Sequence, residues 1–218
     1  MAIAETRTAG IVLPPGSNEG VLGLPARPPH KIARCSGGSR LGPRNKFVAQ
    51  GQQGAGLATV RFSLLSNQRS ASRSNVFDTG LSADWLTRTA APLHATPPGR
   101  DLPVSYSSIG TDAEAALLPT PSRSAVRAVI SCHGRPGLAG DVLPDATMPL
   151  LLTIDGHNTG VLAPNRAAYR HLLCQRRPSV VSATTRLFDE PGPLEAVVTL
   201  AGDWFLQQLT NRHVTEQI

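Results

Sequence analysis

Short apolar runs alternate with amphipathic stretches along the chain, in the pattern typical of strands and helices that follow one another. The strand-like runs are rich in Val, Ile and Leu, and the helix-like stretches repeat apolar residues three or four positions apart. The predicted strands are residues 10–13, 30–34, 57–65, 102–106, 126–131, 149–154 and 179–182. The predicted helices begin at or just after Pro43, Asp78, Thr111, Pro164 and Leu194. Residues 21–29 are rich in proline and are expected to be irregular.

This alternation predicts an α/β fold with a mostly parallel central sheet that is covered by helices on both faces. The run at 149–154, PLLLTI, is apolar enough to be buried on both faces of such a sheet. The expected organisation is one domain over residues 10–210, with tails at 1–9 and 211–218. Parallel strands place their connecting loops, and with them any active site, at the carboxyl ends of the strands.

The composition narrows the class of protein without identifying a function. Of the 218 residues, 40% are hydrophobic and 17% are charged, which is typical of a globular domain. No apolar run is long enough to span a membrane, and the N-terminus lacks the basic and apolar regions of a secretory signal. The three cysteines form no CxxC pair, so neither a metal site nor a disulfide framework is predicted. A cytoplasmic protein without a cofactor is expected.

The net charge of +6 raises the question of nucleic acid as a partner. Binding to phosphates needs basic residues gathered on one face or in a tail, and aromatic residues for stacking on bases. The 21 lysines and arginines are instead spread along the chain, and the one adjacent pair is Arg176 and Arg177. The pattern therefore indicates a solvated basic surface, and nucleic acid is not the predicted partner.

Six segments give a more specific indication. They are SGGSRLGPRNKFVA (36–49), AGLATVRFSLL (55–65), GRPGLAGDVLP (134–144), NRAAYRHL (165–172), LFDEPGPLEAV (187–197) and AGDWFLQQL (201–209). Together they resemble the dienelactone-hydrolase-like branch of the α/β-hydrolase superfamily, and in particular a bacterial subgroup that also occurs fused downstream of a phosphoribosyltransferase domain. The resemblance covers about residues 13–209. It implies an α/β-hydrolase fold and a serine or cysteine hydrolase of esters or lactones, with the chain order nucleophile, acid, histidine.

The three catalytic positions depart from the family pattern. Acyl transfer needs a nucleophile on a tight strand-to-helix turn, a histidine that takes its proton, and a carboxylate that orients the histidine. Carried over along the resemblance, these positions fall on Gly110, Arg186 and Asn158, respectively. Glycine has no nucleophile, and Arg186 cannot accept a proton near neutral pH because its guanidinium stays protonated. The expected protein is therefore a hydrolase homologue with a substituted triad that is weakly active or inactive.

Two residues keep an active serine esterase or lactonase open as an alternative. Ser108 becomes the nucleophile if the turn is shifted by two residues, and Asp155, at the end of a predicted strand, then supplies the carboxylate. The base is harder to find, because no histidine stands in the segment before LFDEP. Cys132 and His133 do not make a catalytic pair, because adjacent residues of an extended segment point to opposite sides.

Backbone donors around the turn define a ligand pocket even without catalysis. The expected oxyanion donors lie at Cys35 and Ser36, after the strand 30–34, and at Ile109 and Thr111, on either side of the turn position. Such a pocket binds a carbonyl or an acidic group, so a small ester, lactone or acidic ligand is the predicted partner. A basic binding module without catalysis is a further alternative. A drifting copy of marginal stability is another, because several prolines interrupt predicted elements.

Overall fold

The structure is a computed structural model, which describes residues 7–13, 18–27, 29, 32–36, 41–65, 71–88, 102–117, 126–155, 159–181 and 192–210. Within these ranges the strands are β1 (Arg7–Leu13), β2 (Asn18–Leu24), β3 (Ile32–Ser36), β4 (Ala58–Arg61), β5 (Val104–Ile109), β6 (Val126–Cys132), β7 (Leu150–Asp155) and β8 (Arg176–Val181). The α-helices are α1 (Pro43–Gly54), α2 (Arg73–Val76), α3 (Thr79–Arg88), α4 (Thr159–His171) and α5 (Pro193–Thr210). Two 3-10 helices, η1 (Thr111–Leu117) and η2 (Pro136–Asp145), complete the described elements.

The described strands form one sheet in the order β1-β2-β4-β3-β5-β6-β7-β8. β2 pairs antiparallel with β1 and with β4, and the other pairings are parallel. The predicted α/β class with a mostly parallel sheet is therefore confirmed. The strand order reverses at β3, because the chain moves to one side of β3 with β4 and then to the other side with β5. Ligands bind beside the carboxyl ends of the strands at such a switch point, which directs attention to the ends of β3 and β5.

Each face of the sheet is buried against its own layer of helices, because side chains alternate along a strand. On β6, Val129 belongs to the core formed with α3, η1, η2 and α4, whereas Ile130 belongs to the core formed with α1 and α5. α5 buries one apolar stripe, since Val197, Trp204 and Phe205 all belong to the second core. None of the helices in the described ranges is long and apolar enough to cross a membrane.

Local sequence signals set the start of three helices. Pro43 begins α1, where its fixed φ suits the helix and its missing N–H would have had no partner within the helix. Asp78 caps α3, because its Oδ1 accepts a hydrogen bond of 2.8 Å from the Leu81 amide. At the start of α5 the Glu195 carboxylate accepts a hydrogen bond from the Gly192 amide. These three helix starts agree with the sequence prediction to within a residue.

Other predictions of local structure were wrong. Residues 21–29 were expected to be irregular, but β2 runs through the first four of them and is held by pairing with β1 and β4. β4 ends at Arg61, several residues before the predicted end of the strand 57–65. α4 begins at Thr159, so Pro164 lies inside the helix instead of starting it. η2 was not predicted, because its glycines and prolines are typical of a loop.

Candidate functional site

The turn after β5 has the backbone of a nucleophile elbow but carries glycine. β5 ends at Ile109, Gly110 follows with φ of +107°, and Thr111 begins η1. In α/β-hydrolases the nucleophile sits on a strained strand-to-helix turn of this kind. A Cβ added to Gly110 would meet no atom within 4 Å, so there is room for a side chain at the turn. The position that the resemblance carries over as the nucleophile therefore lies on a strand-to-helix turn and has no side chain.

Backbone hydrogen bonds fix this elbow to the carboxyl ends of the neighbouring strands. The Gly110 amide donates to the Cys132 carbonyl on β6 at 2.9 Å, and the His133 amide donates to the Thr153 carbonyl on β7 at 3.0 Å. His133 has φ of +57°, an uncommon and strained value for a residue with a side chain. The ends of β5, β6 and β7 thus form one connected framework around the elbow.

Ser108 lies on β5 and not on the turn. Its side chain is 0% exposed. Alternation along the strand places it on the same face of the sheet as Tyr106, toward η1 and η2. Its hydroxyl has no hydrogen-bond partner among the described residues, so no described histidine is within reach of it. Both the position on the strand and the complete burial are unfavourable for the predicted role of Ser108 as nucleophile.

A buried polar cluster, which we call the elbow cluster, lies beside the turn and consists of Glu114, Ser131 and Gly134. Glu114, on η1, is 0% exposed, and its Oε1 accepts a hydrogen bond from the Arg135 amide. Ser131, on β6, is the register partner of Ser108. A Cβ added to Gly134 would lie 2.0 Å from Ser131 Oγ and 2.4 Å from Glu114 Oε1. The polar atoms of the cluster therefore occupy the space that a side chain at position 134 would need.

Asn165 ties helix α4 to the elbow cluster. Its buried side-chain amide donates one hydrogen bond to the Gly134 carbonyl at 2.9 Å and one to the Val161 carbonyl at 2.8 Å. Sequence reasoning identified neither Glu114 nor Asn165 as part of the site. The one available signal for Glu114 was a carboxylate within the otherwise apolar stretch 113–118, AEAALL. A charged residue at a position that should be buried indicates either a solvated face or a polar interior, and the sequence does not distinguish the two.

The residues expected in the oxyanion loop are instead part of the sheet. Cys35 and Ser36 are the last two residues of β3 and pair with Ser107 and Ser108 on β5. Their assignment to a loop was wrong, because the strand predicted at 30–34 extends to Ser36. The segment 37–40, which follows, lies outside the described residues. Parallel pairing of β3 and β5 brings Ser36, at the end of β3, and the elbow to the same edge of the sheet.

The acid and base positions follow two neighbouring strands. Asp155 is the last residue of β7, and its register partner Val181 is the last residue of β8. Asn158 and Arg186 stand in the segments that follow, and both lie outside the described residues. The described part of the chain contains no group of three or more His, Cys, Asp or Glu residues that is suited to hold a metal ion.

Cys132, at the end of β6 beside the elbow, is not activated as a nucleophile. Burial raises the pKa of the Cys132 thiol from 9.0 to about 11, and the neighbouring Thr153 side chain acts in the opposite direction. The thiolate is the nucleophilic form of cysteine, so this side chain is inert near neutral pH. Burial likewise raises the pKa of the Cys174 thiol, against the effects of a backbone hydrogen bond and of the Arg176 charge.

The raised pKa of Cys132 predicts a loss of stability in alkaline solution. Between pH 9.0 and about 11 the thiol ionises in the unfolded chain but stays protonated in the folded chain, so rising pH favours unfolding. The free energy of unfolding should fall by about 2–3 kcal/mol across this window on account of this residue. Urea unfolding of the wild type and of Cys132→Ala, at about pH 8 and about pH 10.5, measures the effect. Equal losses in the two proteins would contradict it.

Comparison with known proteins gives relatives of two kinds. No family model matches the chain. A dienelactone hydrolase from Anabaena variabilis has a crystal structure that superposes with a TM-score of 0.84 at 32% sequence identity, covering 95% of this chain and 99% of that one. The esterase domain of a Rhodothermus marinus protein superposes with a TM-score of 0.71 at 16% identity, covering 94% of this chain and 100% of the domain, and shares the fold.

The second kind of relative is longer than this chain. Two proteins from strains of Mycobacterium tuberculosis, each named "Putative phosphoribosyl transferase", are 40% identical to it over 202 residues. The match covers 91% of this chain and 46% of each relative. The chain therefore spans about half the length of these curated relatives, as expected from a resemblance to a subgroup that also occurs in fused proteins.

Proposed function

The chain belongs to the dienelactone hydrolase family of the α/β-hydrolase superfamily, and from this premise we propose that it has kept the family fold without effective acyl transfer. The observation that supports this most directly is Gly110, which occupies the strained elbow position with φ of +107° and has no side chain. The acid and base positions carried over from the family, Asn158 and Arg186, lack a carboxylate and a proton acceptor. Loss of the nucleophile or the base alone costs several orders of magnitude in rate.

We further propose that the protein binds a small ester, lactone or carboxylate without converting it. In a working enzyme of this fold, the amide that follows the nucleophile stabilises the oxyanion, and here that amide belongs to Thr111 at the start of η1. Backbone amides do not depend on the identity of the side chain, so this donor survives the substitution of the triad. An ester, lactone or carboxylate whose oxygen is held there meets no attacking side chain at position 110 and therefore stays unconverted.

Catalysis by Ser108 is the alternative, and the site favours it less. A nucleophile must come within about 3–3.5 Å of the scissile carbonyl carbon in a suitable direction. The Ser108 hydroxyl is fully buried on the interior side of β5, two residues before the elbow. A substrate would have to enter the core between β5 and the helices above it to reach this atom.

A fluorophosphonate probe, which reacts covalently with activated serines, tests the proposal. We expect no stoichiometric labelling of the wild type or of Ser108→Ala, with an active serine esterase labelled in parallel as the positive control. Ser108→Ala should fold normally, because the hydroxyl it removes is buried and has no partner among the described residues. Labelling of the wild type that disappears in Ser108→Ala would overturn the proposal and establish the serine as the nucleophile.

A further inference from the structure

A cavity of about 330 Å³ lies between helix α4 and strands β7 and β8, and we call it the α4 cleft. Ser108, Gly110 and Glu114 do not line it, so it is distinct from the elbow site. The sheet contributes Leu152 and Ile154 from β7 and Pro178 from β8, and α4 contributes Leu162, Asn165, Arg166, Tyr169 and Arg170. The α4 residues have the spacing of a single helix face. Since β8 is the last strand of the sheet, the cleft lies at the sheet edge.

The floor of the α4 cleft is apolar. Leu152 and Ile154 are alternate residues of β7 and therefore present their side chains on the same face of the sheet. Pro178 stands beside Leu152 in the register of β8, and Leu162 closes the cleft from the helix. The Asn165 amide nitrogen, which also borders the cleft, is already engaged by two carbonyls. The floor thus offers contact to a hydrocarbon group and few polar contacts.

Two positive charges stand at the other side of the same cleft. Arg166 and Arg170 are both exposed and are four residues apart, which places their guanidinium groups on one face of α4. No acidic residue is among the described residues that line the cleft, and neither arginine has an ion-pair partner in the described part of the chain. Like charges at this spacing repel each other, so an anion between them is stabilised.

The Tyr169 ring forms the wall of the α4 cleft between the apolar floor and the two arginines, and a third arginine holds this ring in place. The Arg176 guanidinium of β8 lies 4.7 Å from the centroid of the Tyr169 ring, within the range of a cation–π interaction. This contact orients the ring from outside the cleft. A preformed wall of this kind lowers the entropic cost of binding a ligand.

We propose that the α4 cleft binds an amphipathic monocarboxylate, with its hydrocarbon part on Leu152 and Ile154 and its carboxylate between Arg166 and Arg170. Guanidinium groups bind carboxylates by paired, charge-assisted hydrogen bonds. The volume of about 330 Å³ is at the lower end of the range for small-molecule sites, which favours a medium-length chain over a long one. The assignment does not depend on the chemistry of the elbow.

Isothermal titration of the full chain with octanoate tests the assignment. We expect one octanoate to bind tightly in the α4 cleft, apart from any weaker binding at the elbow, and octanol, which has the same chain length without the charge, to bind at least about tenfold more weakly. Inorganic phosphate, which has the charge without the chain, should also bind at least about tenfold more weakly. The double variant Arg166→Gln/Arg170→Gln should lose a similar factor for octanoate.

A matched control is available at the opposite end of the sheet. Arg27 is also exposed and follows β2, six strands away from β8 in the sheet order, so Arg27→Gln should bind octanoate like the wild type. Equal affinity of the double variant and the Arg27→Gln control would overturn the proposal. Phosphate binding as tight as octanoate binding would overturn the amphipathic part and leave a simple anion site.

A second variant separates the α4 cleft from the elbow. Leu162→Trp adds bulk inside the cleft without removing a charge, and it should abolish the tight octanoate binding. Octanoate binding as tight in Leu162→Trp as in the wild type would place the ligand elsewhere and overturn the assignment. Since a fluorophosphonate reacts with a nucleophile and octanoate does not, failure of this proposal and failure of the proposed function are distinguishable.

Discussion

The triple variant Gly110→Ser/Asn158→Asp/Arg186→His is expected to hydrolyse p-nitrophenyl acetate at least about 100-fold faster than the wild-type chain. The reason is that the described framework keeps the elbow backbone and lacks the reacting groups. A Cβ added at position 110 would meet no described atom within 4 Å, so the β-carbon of a serine can be added there without a clash. The introduced residue must adopt φ near +107°, which costs about 1–3 kcal/mol, and the nucleophile turn of this fold is itself strained.

The gain should require all three substitutions. Gly110→Ser alone provides a hydroxyl without a base, and a serine is a weak nucleophile until its proton is accepted. The matched control is Gly110→Ala/Asn158→Asp/Arg186→His, which has the same strain at the elbow and the same new acid and base but no nucleophile. Comparison of the two triple variants therefore isolates the attack by the serine from any effect on folding.

Two results would contradict this expectation. Equal hydrolysis by the serine and alanine triple variants would mean that the elbow does not present its side chain to the substrate. A wild-type rate that already equals the rate of the serine variant, and that is lost in Ser108→Ala, would mean that the chain is an enzyme through a different residue. Fluorophosphonate labelling tests the same expectation without a turnover assay. Stoichiometric labelling of the serine triple variant, with none of the wild type or the alanine triple variant, would support it.

The fold class was predictable because its signals are local and repeated. The strands predicted at 126–131 and 149–154 agree with β6 and β7 to within one residue, since each is rich in Val, Ile or Leu. β2 was missed because GVLGL is short and rich in glycine, and what stabilises it is pairing with two strands distant in sequence. β1 begins at Arg7, three residues before its predicted start, for the same reason.

The candidate site was predictable only where it is one continuous segment. Gly110 was identified through the resemblance, which carries the nucleophile position onto a strand, a turn and a helix that are adjacent in sequence. Glu114, Gly134 and Asn165 come from three separate segments, and their contacts depend on how η1 and α4 pack over the end of β6. No periodicity in the sequence predicts that residues of these three segments contact one another.

The predicted cytoplasmic location and the choice of a small molecule over nucleic acid as partner stay predictions.

Gly134→Ala is expected to lower the free energy of unfolding by about 2–4 kcal/mol, because it places a methyl group inside the elbow cluster. The new Cβ would lie 2.0 Å from Ser131 Oγ, 2.4 Å from Glu114 Oε1 and 3.2 Å from the Gly110 carbonyl oxygen. The serine hydroxyl can rotate away, but the carboxylate is fully buried and holds the Arg135 amide. Moving the carboxylate therefore breaks a buried hydrogen bond as well as the packing. Urea unfolding gives the difference in free energy.

Gly137→Ala is the matched control, since a Cβ at this neighbouring glycine would meet no atom within 4 Å, and it should change the stability by less than about 0.5 kcal/mol. A double-mutant cycle with Glu114→Ala identifies the cause. If the clash with the carboxylate dominates, Gly134→Ala should cost markedly less in the Glu114→Ala background, because the methyl group then occupies the space that the carboxylate leaves. Strictly additive effects would mean that the methyl group disturbs the backbone of the elbow instead. In that case the loss of stability would arise from the contact between the new methyl group and the Gly110 carbonyl oxygen. The same substitution would then shift the turn that carries the serine of the triple variant.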